Sequence, residues 1–470
     1  MELPEELITS LTGLAGFNPV SFRETHNEKN EPVSIRFNLK KKNKLDLSAV
    51  KGYLVPLKKY LADPVPWCNC GSYLKIRPSF TFDPHLHGGV YYVQEASSMF
   101  LEHALKNTID LSKPLRVLDL CAAPGGKSTH IQSLISSDSL LVSNEVIRSR
   151  VSILEENLIK WGGLNTIISQ NDPQAFRNLP QFFDLVLVDA PCSGSGLFRR
   201  DPEAIREWSF ELVNHCCKRQ QRILADVLPS LKSGGLLVYS TCSYSREENE
   251  DIIDWLVQEC GLESLSFPVQ GDWGIIEAHT PNGRALGYRF YPDKLKGEGL
   301  FLACLRKPTG EIRDPTPPRI KADKLNQQEK ALLKKWVVNE YQIEFDKYGE
   351  VLIAMPENFN GWLSLLQKEL YIKRAGVRLG KISGKELIPH HELAMNEICA
   401  RDLPFVELTL EESITYLRRD ELKIASGLLG WTLVRFGGIN LGWAKMLGSR
   451  INNYYPLNWR ILKSQGTISG

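Results

Sequence analysis

The spacing of apolar residues changes along the chain, and each change predicts a different kind of element. MELPEELITSL at the start reads as a short amphipathic helix, Val33–Leu39 as a strand, and Leu47–Leu61 as a helix between turn signals. From Pro114 to Lys307 the pattern becomes regular. The apolar runs LRVLDL (115–120), SLLVSNEV (139–146), NTIISQND (165–172), FDLVLVDAP (183–191), GLLVYSTC (235–242) and GLFLACLRK (299–307) alternate with amphipathic stretches such as Arg148–Trp161 and Cys216–Leu231. Buried strands separated by helices predict an α/β unit, a parallel sheet with helices on both faces. KPTGEIRDPTPPRIKADK (307–324) is dense in proline and charge and reads as an exposed linker. Beyond it a fresh α+β pattern runs to Gly470, without an internal repeat.

At 470 residues the chain is long enough for more than one domain. Hydrophobic residues make up 43% and charged residues 24%, an ordinary globular balance, and the net charge is only +2. A polyanion site must therefore arise by local segregation of charge. Two stretches show it. From Lys423 onward there is no Asp or Glu, while Lys423, Arg435, Lys445, Arg450, Arg460 and Lys463 are present. Tyr371 to Lys385 is likewise acid-free and carries Lys373, Arg374, Arg378, Lys381 and Lys385. Either alone is a solvated face. Together with Trp431, Phe436, Trp443, Tyr454, Tyr455 and Trp459 they point to a nucleic-acid surface. The acidic N-terminus does not read as a signal peptide, and no apolar run reads as a membrane span. The expected setting is a reducing cytoplasm, where the ten cysteines remain thiols.

The candidate chemistry lies at the carboxyl ends of the predicted strands, where an open parallel sheet forms its ligand crevice. After LRVLDL comes CAAPGGKS, a small-residue turn opening a helix near Gly126. Ala122, Ala123, Gly125 and Gly126 let a ligand approach the backbone, and the helix start offers free N–H groups to a carboxylate. The spacing fits neither a dinucleotide fingerprint nor a P-loop. The second strand ends in Glu145, placed to accept from two ribose hydroxyls, and the third in Asp172, placed to accept from an adenine amine. Each acid alone is an ordinary strand-end or capping residue; the three together describe an S-adenosylmethionine pocket.

The next two strands end in DAPCSGSG (189–196) and TCSYSREENE (241–250), each with a cysteine just past its end, Cys192 and Cys242. Either alone reads as a small buried side chain. As a pair beside a methyl-donor site they fit covalent catalysis. Carbon-5 of cytosine is a poor nucleophile until a thiolate adds at carbon-6. Lys127, Arg199 and Arg200 are candidates for the positive charge such a thiolate needs. Asp189 is placed to read the amidine edge of cytosine, and Ser245 with Glu248 forms a candidate capping box after Cys242. Cys68-x-Cys70 followed by His85-x-His87 offers four zinc-type ligands, but the spacing matches no familiar zinc module and Trp67 and Tyr73 favour packing, so no metal is expected.

In order and spacing, DLCAAPGGKS, NEVIRSR, LVDAPCSGSGLFRRDPEA and VYSTCSYSREENE resemble the motifs of the Nol/Nop/Sun family of RNA 5-methylcytosine methyltransferases. So do the flanking SIRFN, YYVQEASSM and RFYPDKLKGEGLFLA. The resemblance implies a Rossmann-like methyltransferase core with a seven-stranded, mostly parallel sheet, and an N-terminal portion like a small RNA-recognition fold. It implies Cys242 as nucleophile and Cys192 in product release, with Asp189 and Lys127 beside them. It places S-adenosylmethionine on Cys121, Ala122, Ala123, Pro124, Gly125, Gly126, Lys127, Glu145, Arg150, Asp172 and Asp189. GVRLGKI and NLGWAKMLGSRINNYYP resemble the PUA-like RNA-binding end of bacterial members of the RsmF type, which modify small-subunit ribosomal RNA.

The expected domains are 1–111, RNA-recognition-like; 112–307, catalytic; 308–322, linker; and 323–470, PUA-like. RNA is the expected partner, with no membrane and no obligate protein partner. Two other classes compete. A ribosome-assembly factor with a spent methyltransferase fold would bind RNA without trapping it. A methyltransferase for protein or for an exocyclic nitrogen would have no use for paired thiols. Transfer RNA is the alternative substrate.

Overall fold

The computed structural model describes residues 3–28, 31–45, 59–311, 315, 325–338, 340–424, 427–448 and 450–463. Most of the helix expected at 47–61 and most of the linker at 308–322 lie outside them. Leu61, the last residue of that expected helix, opens a strand instead.

Four strands near the N-terminus, β1 (Val33–Phe37), β2 (Leu61–Pro64), β3 (Gly71–Leu74) and β4 (Tyr91–Val93), form an antiparallel sheet in the order β2-β3-β1-β4. The two helices before it, Glu5–Leu11 and Pro19–Asn27, do not cover that sheet. Their apolar residues Leu7, Leu11 and Phe22 pack with Phe198, Trp208, Tyr244 and Tyr291, against the loops that follow the cysteine strands.

The central sheet holds β5 (Arg116–Asp119), β6 (Leu140–Asn144), β7 (Thr166–Ser169), β8 (Phe183–Asp189) and β9 (Leu231–Thr241), all parallel, in the order β9-β8-β5-β6-β7. Their residues are apolar on both faces because helices cover both. Arg148–Trp161 and Phe210–Val227 are two of these, the first with the bounds its periodicity predicts. Chain order reverses between β5 and β8, so the crevice opens above Asp119 and Asp189.

The sheet is larger and more mixed than the expected seven strands. β10 (Glu263–Leu265), β11 (Ile276–His279), β12 (Leu286–Phe290) and β13 (Leu300–Arg306) add antiparallel pairings beyond β9. GLFLACLRK, read as one more parallel strand, thus runs against its neighbour. At the opposite edge β16 (Ile372–Ala375), from the tail, pairs antiparallel with β7 and brings the sheet to ten strands.

The rest of the tail carries two four-stranded sheets. β14 (Ile343–Tyr348), β15 (Val351–Pro356), β17 (Val377–Ser383) and β18 (Glu386–Pro389) form one; β19 (Phe405–Glu407), β20 (Leu429–Phe436), β21 (Ile439–Leu447) and β22 (Ile451–Asn453) form the other. Ile353, Met355, Leu363 and Leu366 join the apolar core of the catalytic sheet, so the tail is packed into it. Buried Glu392 accepts from Arg374 Nε at 3.1 Å and from the Arg378 N–H at 2.9 Å, and Arg378 also bonds Glu155 on the helix Arg148–Trp161. Two of the five basic residues of the expected surface at 371–385, Arg374 and Arg378, are therefore tied into the scaffold. Among the tail aromatics, Trp443, Tyr455 and Phe436 are core residues, while Trp431 and Tyr454 remain accessible, with Lys445 Nζ over the Trp431 ring.

Candidate active site

The crevice is built by four consecutive strand ends. After β5 the chain turns through Cys121, Ala122, Ala123, Pro124 and Gly125 into the helix Gly126–Leu134. Gly125 has φ +110°, and a Cβ there would meet Leu154 Cδ1 at 3.3 Å, so the turn requires glycine. Two side chains and one backbone bond tie the turn down from outside. Arg150 Nη2 donates to Ala123 O at 2.6 Å, Asn157 Nδ2 to Pro124 O at 2.8 Å, and the Ala122 N–H to Asn144 O at 2.8 Å. Asn144 Nδ2 also donates to Leu120 O and Asn171 O, linking the ends of β5, β6 and β7. In the sequence Asn144 stands with Glu145 at the end of the second strand without a role of its own; a buried polar residue at a strand's last position was the available signal.

Glu145 follows, 3% exposed. Its Oε1 accepts from the Ile147 N–H at 2.9 Å, whereas Oε2 is buried without a hydrogen-bond partner among the described residues. Asp119 is fully buried; Ser128 Oγ donates to its Oδ2 at 2.6 Å and its Oδ1 is likewise unpartnered. Burial, reinforced by the charge of Asp189, pushes the Asp119 carboxyl up to about 7. Unmet acceptors in a small-residue cradle fit the hydroxyls of a nucleoside. Asp172 is an exposed strand-end acid that caps the turn Pro173–Asn178 through the Gln174 N–H and lies 3.5 Å from Arg222.

The cysteines do meet. Cys192 Sγ lies 3.1 Å from Cys242 Sγ. The hydrogen bond with Cys242, burial and the charge of Glu248 push the Cys192 thiol well above its ordinary range. Lys127 Nζ stands 2.7 Å from Asp189, whose Oδ1 accepts from Ser240 Oγ at 2.7 Å. Burial opposes the Lys127 ammonium, but Asp189, Asp119 and Cys242 outweigh it and hold it above its usual value. Lys127 is thus a positive charge that interacts electrostatically with Cys242. Arg199 and Arg200 lie 3.6 and 3.7 Å from Glu298.

One expectation needs correction. Ser245 and Glu248 form no capping box, because the helix starts at Glu250 and Glu248 points inward onto Ser193 and Ser243. Nor do the four candidate zinc ligands converge. His87 Nε2 pairs with Thr81 O and its Nδ1 lies 3.4 Å from Tyr455 Oη, while His85 sits 3.3 Å from Asp83. Cys68 instead joins Glu102 and His130. There the thiol donates to the carboxylate at 3.1 Å, Lys106 takes the other oxygen, and burial with Glu102 alongside pushes the Cys68 thiol well up.

A Rossmann-like sheet with a nucleoside cradle at its switch point and two touching thiols beside it defines an S-adenosylmethionine-dependent methyltransferase that works through sulfur. Comparison with known proteins makes this specific. Residues 107–306 match the family described as 16S rRNA methyltransferase RsmB/F, residues 3–96 the N-terminal domain of 16S rRNA methyltransferase RsmF, and residues 404–461 the methyltransferase RsmF PUA domain. The ribosomal RNA small subunit methyltransferase F of Aeromonas hydrophila is 32% identical over 444 residues, 90% of each chain, and that of Aliivibrio salmonicida is 32% identical over 412 residues, 85% of this chain and 86% of the relative. Among solved structures, a methyltransferase homolog protein from Pyrococcus horikoshii is 31% identical with a TM-score of 0.50, covering 64% of this chain and 93% of that one. NSun6 from the same organism, at 21% identity and TM-score 0.52 over 65% and 98%, shares the fold. The chain belongs to the RsmB/F family of RNA methyltransferases, and it is an S-adenosylmethionine-dependent RNA (cytosine-C5) methyltransferase. No helix among the described residues is long and apolar enough to cross a membrane.

Proposed function

We propose that this enzyme methylates carbon-5 of a specific cytosine in small-subunit 16S ribosomal RNA, with Cys242 as the nucleophile and Cys192 as the thiol required for product release. The observation that carries the reading is the 3.1 Å contact between two thiols at adjacent strand ends, with the Lys127–Asp189 pair beside them. When bound, S-adenosylmethionine supplies an electrophilic methyl group, and Glu145, Asp119 and the turn Cys121–Lys127 would hold it. Cys242 adds as thiolate to carbon-6 of the base, and the displaced π electrons make carbon-5 the nucleophilic atom. After carbon-5 is methylated its proton leaves, the ring electrons re-form the double bond, and the carbon-6–sulfur bond breaks to return the Cys242 thiolate. Lys127 steadies that thiolate, and Asp189 is placed to hold the cytosine amidine edge.

A stacked cytosine hides carbon-6, so the target is flipped out or lies in a distorted loop. In this reading residues 1–111 and 323–470 grip RNA on either side of the catalytic residues 112–307, and the site of action is the cytoplasm. The relatives' names supply ribosomal RNA rather than transfer RNA as the substrate.

The test uses wild type, Cys242→Ala and Cys192→Ala with labelled cellular RNA, purified small subunits and S-adenosylmethionine, followed by denaturing gels and a 5-methylcytosine assay. A covalent adduct that accumulates with Cys192→Ala, and neither adduct nor product with Cys242→Ala, supports the reading, and the trapped RNA names the substrate. Methylation by Cys242→Ala would refute the role assignment. Wild type without 5-methylcytosine on either substrate would favour an RNA-binding assembly factor.

A further inference from the structure

Each reactive cysteine is followed by a serine, Cys192-Ser193 and Cys242-Ser243, and both serines answer to one side chain. Glu248 is fully buried between the two turns. Its Oε1 accepts from the Ser193 N–H at 2.8 Å and from Gln220 Nε2 at 3.1 Å; its Oε2 accepts from Ser193 Oγ and Ser243 Oγ, each at 2.5 Å. Gln220 Nε2 also donates to Pro191 O at 3.1 Å, so the residue before Cys192 belongs to the same network. Tyr239 Oη donates to Glu248 O at 2.6 Å and anchors the backbone that presents the carboxylate.

The neighbours of Glu248 serve one turn only. Asn249 accepts from Thr241 Oγ1 at 2.6 Å and donates to Ser243 O at 2.8 Å. Glu250 pairs with Arg289, which donates to Tyr244 O at 2.7 Å. Both hold the Cys242 side, whereas Glu248 spans both. All four of its side-chain donors are uncharged, and burial leaves the carboxyl above its usual value. A buried carboxylate without a cation among its donors is costly, and only an acceptor-only group can satisfy four converging donors.

We propose that Glu248 is a positioning residue for the methyl transfer: by accepting from the residue after each cysteine, it sets the separation of the two thiols. It touches neither base nor cofactor and acts through Cys192 and Cys242. Its charge adds a second effect. The titratable groups facing Cys192 include Cys242 and Glu248, and the negative charge of Glu248 opposes ionisation of Cys192.

This rests on the two-thiol reading, and the test separates the two. Full-length Glu248→Gln presents an NH₂ group where two donors already point. Calorimetric S-adenosylmethionine binding and the thermal midpoint serve as controls for folding. The expected result is a kcat lower by roughly 100-fold with KM for RNA little changed, because a misplacement of about 1 Å at reacting groups costs that much. Iodoacetamide alkylation of Cys192, followed by mass spectrometry against pH, is expected to begin at lower pH than in wild type, a change that loss of packing alone does not produce. Glu248→Asp retains the charge but is shorter by one methylene; it should keep the wild-type alkylation profile while losing kcat. If Glu248→Gln does not fold, Ser193→Ala with Ser243→Ala removes both hydroxyl donors and is expected to lower kcat similarly. Wild-type kcat and alkylation in Glu248→Gln, or wild-type kcat in the double serine variant, would overturn the proposal. Cys242→Ala run alongside tells which idea has failed: methylation there sinks the two-thiol reading, whereas an inactive Cys242→Ala beside a fully active Glu248→Gln sinks only the role of Glu248.

Discussion

Lys127 Nζ lies 2.7 Å from the Asp189 carboxylate, in a pair that joins the cofactor turn after β5 to the end of β8 beside Cys242. In the proposed mechanism Lys127 steadies the attacking sulfur, and removing it also leaves Asp189 uncompensated. Lys127→Met is expected to slow adduct formation on RNA by roughly 10- to 100-fold in single-turnover experiments at neutral pH. An unchanged rate would exclude Lys127 from activating the thiol.

Gly196 donates its N–H to Cys242 O at 2.7 Å, and a Cβ at this position would lie 2.6 Å from that oxygen and 2.8 Å from Gly299 O. The backbone cannot accommodate it without moving the Cys242 turn. Gly196→Ala should destabilise the protein by about 1–3 kcal/mol in urea titrations and depress kcat more than S-adenosylmethionine affinity. A variant with normal kcat would show that the turn can yield without consequence.

Among the described residues one buried carboxylate oxygen of Glu145, Oε2, accepts no hydrogen bond, although Arg150 Nη1 lies 3.4 Å from it. If that oxygen accepts from the ribose of the cofactor, Glu145→Ala forfeits a charge-assisted hydrogen bond of about 1.5–3 kcal/mol. S-adenosylmethionine affinity, measured calorimetrically, should weaken by roughly 10- to 100-fold, while RNA affinity stays near wild type. Equal loss of both would indicate a fold defect instead.

Glu392 secures the tail to the catalytic sheet through Arg374 and Arg378. Burial opposes its ionisation, but the two guanidinium groups outweigh it and bring the carboxyl down from 4.5 to about 2. The folded value is depressed, so the stabilisation is complete above pH 4.5 and disappears as pH falls from there through about 2. Glu392→Gln leaves buried Arg374 and half-buried Arg378 short of their shared anion and should cost about 3–5 kcal/mol at pH 7. Urea midpoints of variant and wild type should converge as pH is lowered across that window; a constant gap would mean the charge is not what matters.

Local pattern carried the catalytic half of the molecule. Arg148–Trp161 is bounded in the sequence as in the structure, and β5 to β8 fall within the runs read as strands, while β9 begins at Leu231, ahead of the run read at 235–242; helix and strand periods are written over neighbouring residues. The positions of Cys192, Cys242, Glu145 and Gly125 at strand ends follow from that reading and from the rule that such sheets open at their carboxyl edge. Glu248 was legible only as a capping residue, because its partner Ser193 lies 55 positions away. The tail aromatics Trp443 and Tyr455 look like a stacking surface in sequence, and nothing in their spacing reveals that they are core.

The sequence by itself determined the reaction type, the cofactor class and the residues at each strand end. Backbone period and the chemistry of individual side chains are local properties, and they survive without a fold. Only the tertiary structure decided that the two sulfurs stand 3.1 Å apart, that Lys127 pairs with Asp189 while Arg199 and Arg200 pair with Glu298, and that β16 extends the catalytic sheet at β7. Those choices depend on contacts between segments from about 50 to 200 residues apart, where burial and charge pairing select one arrangement from many that the local pattern permits.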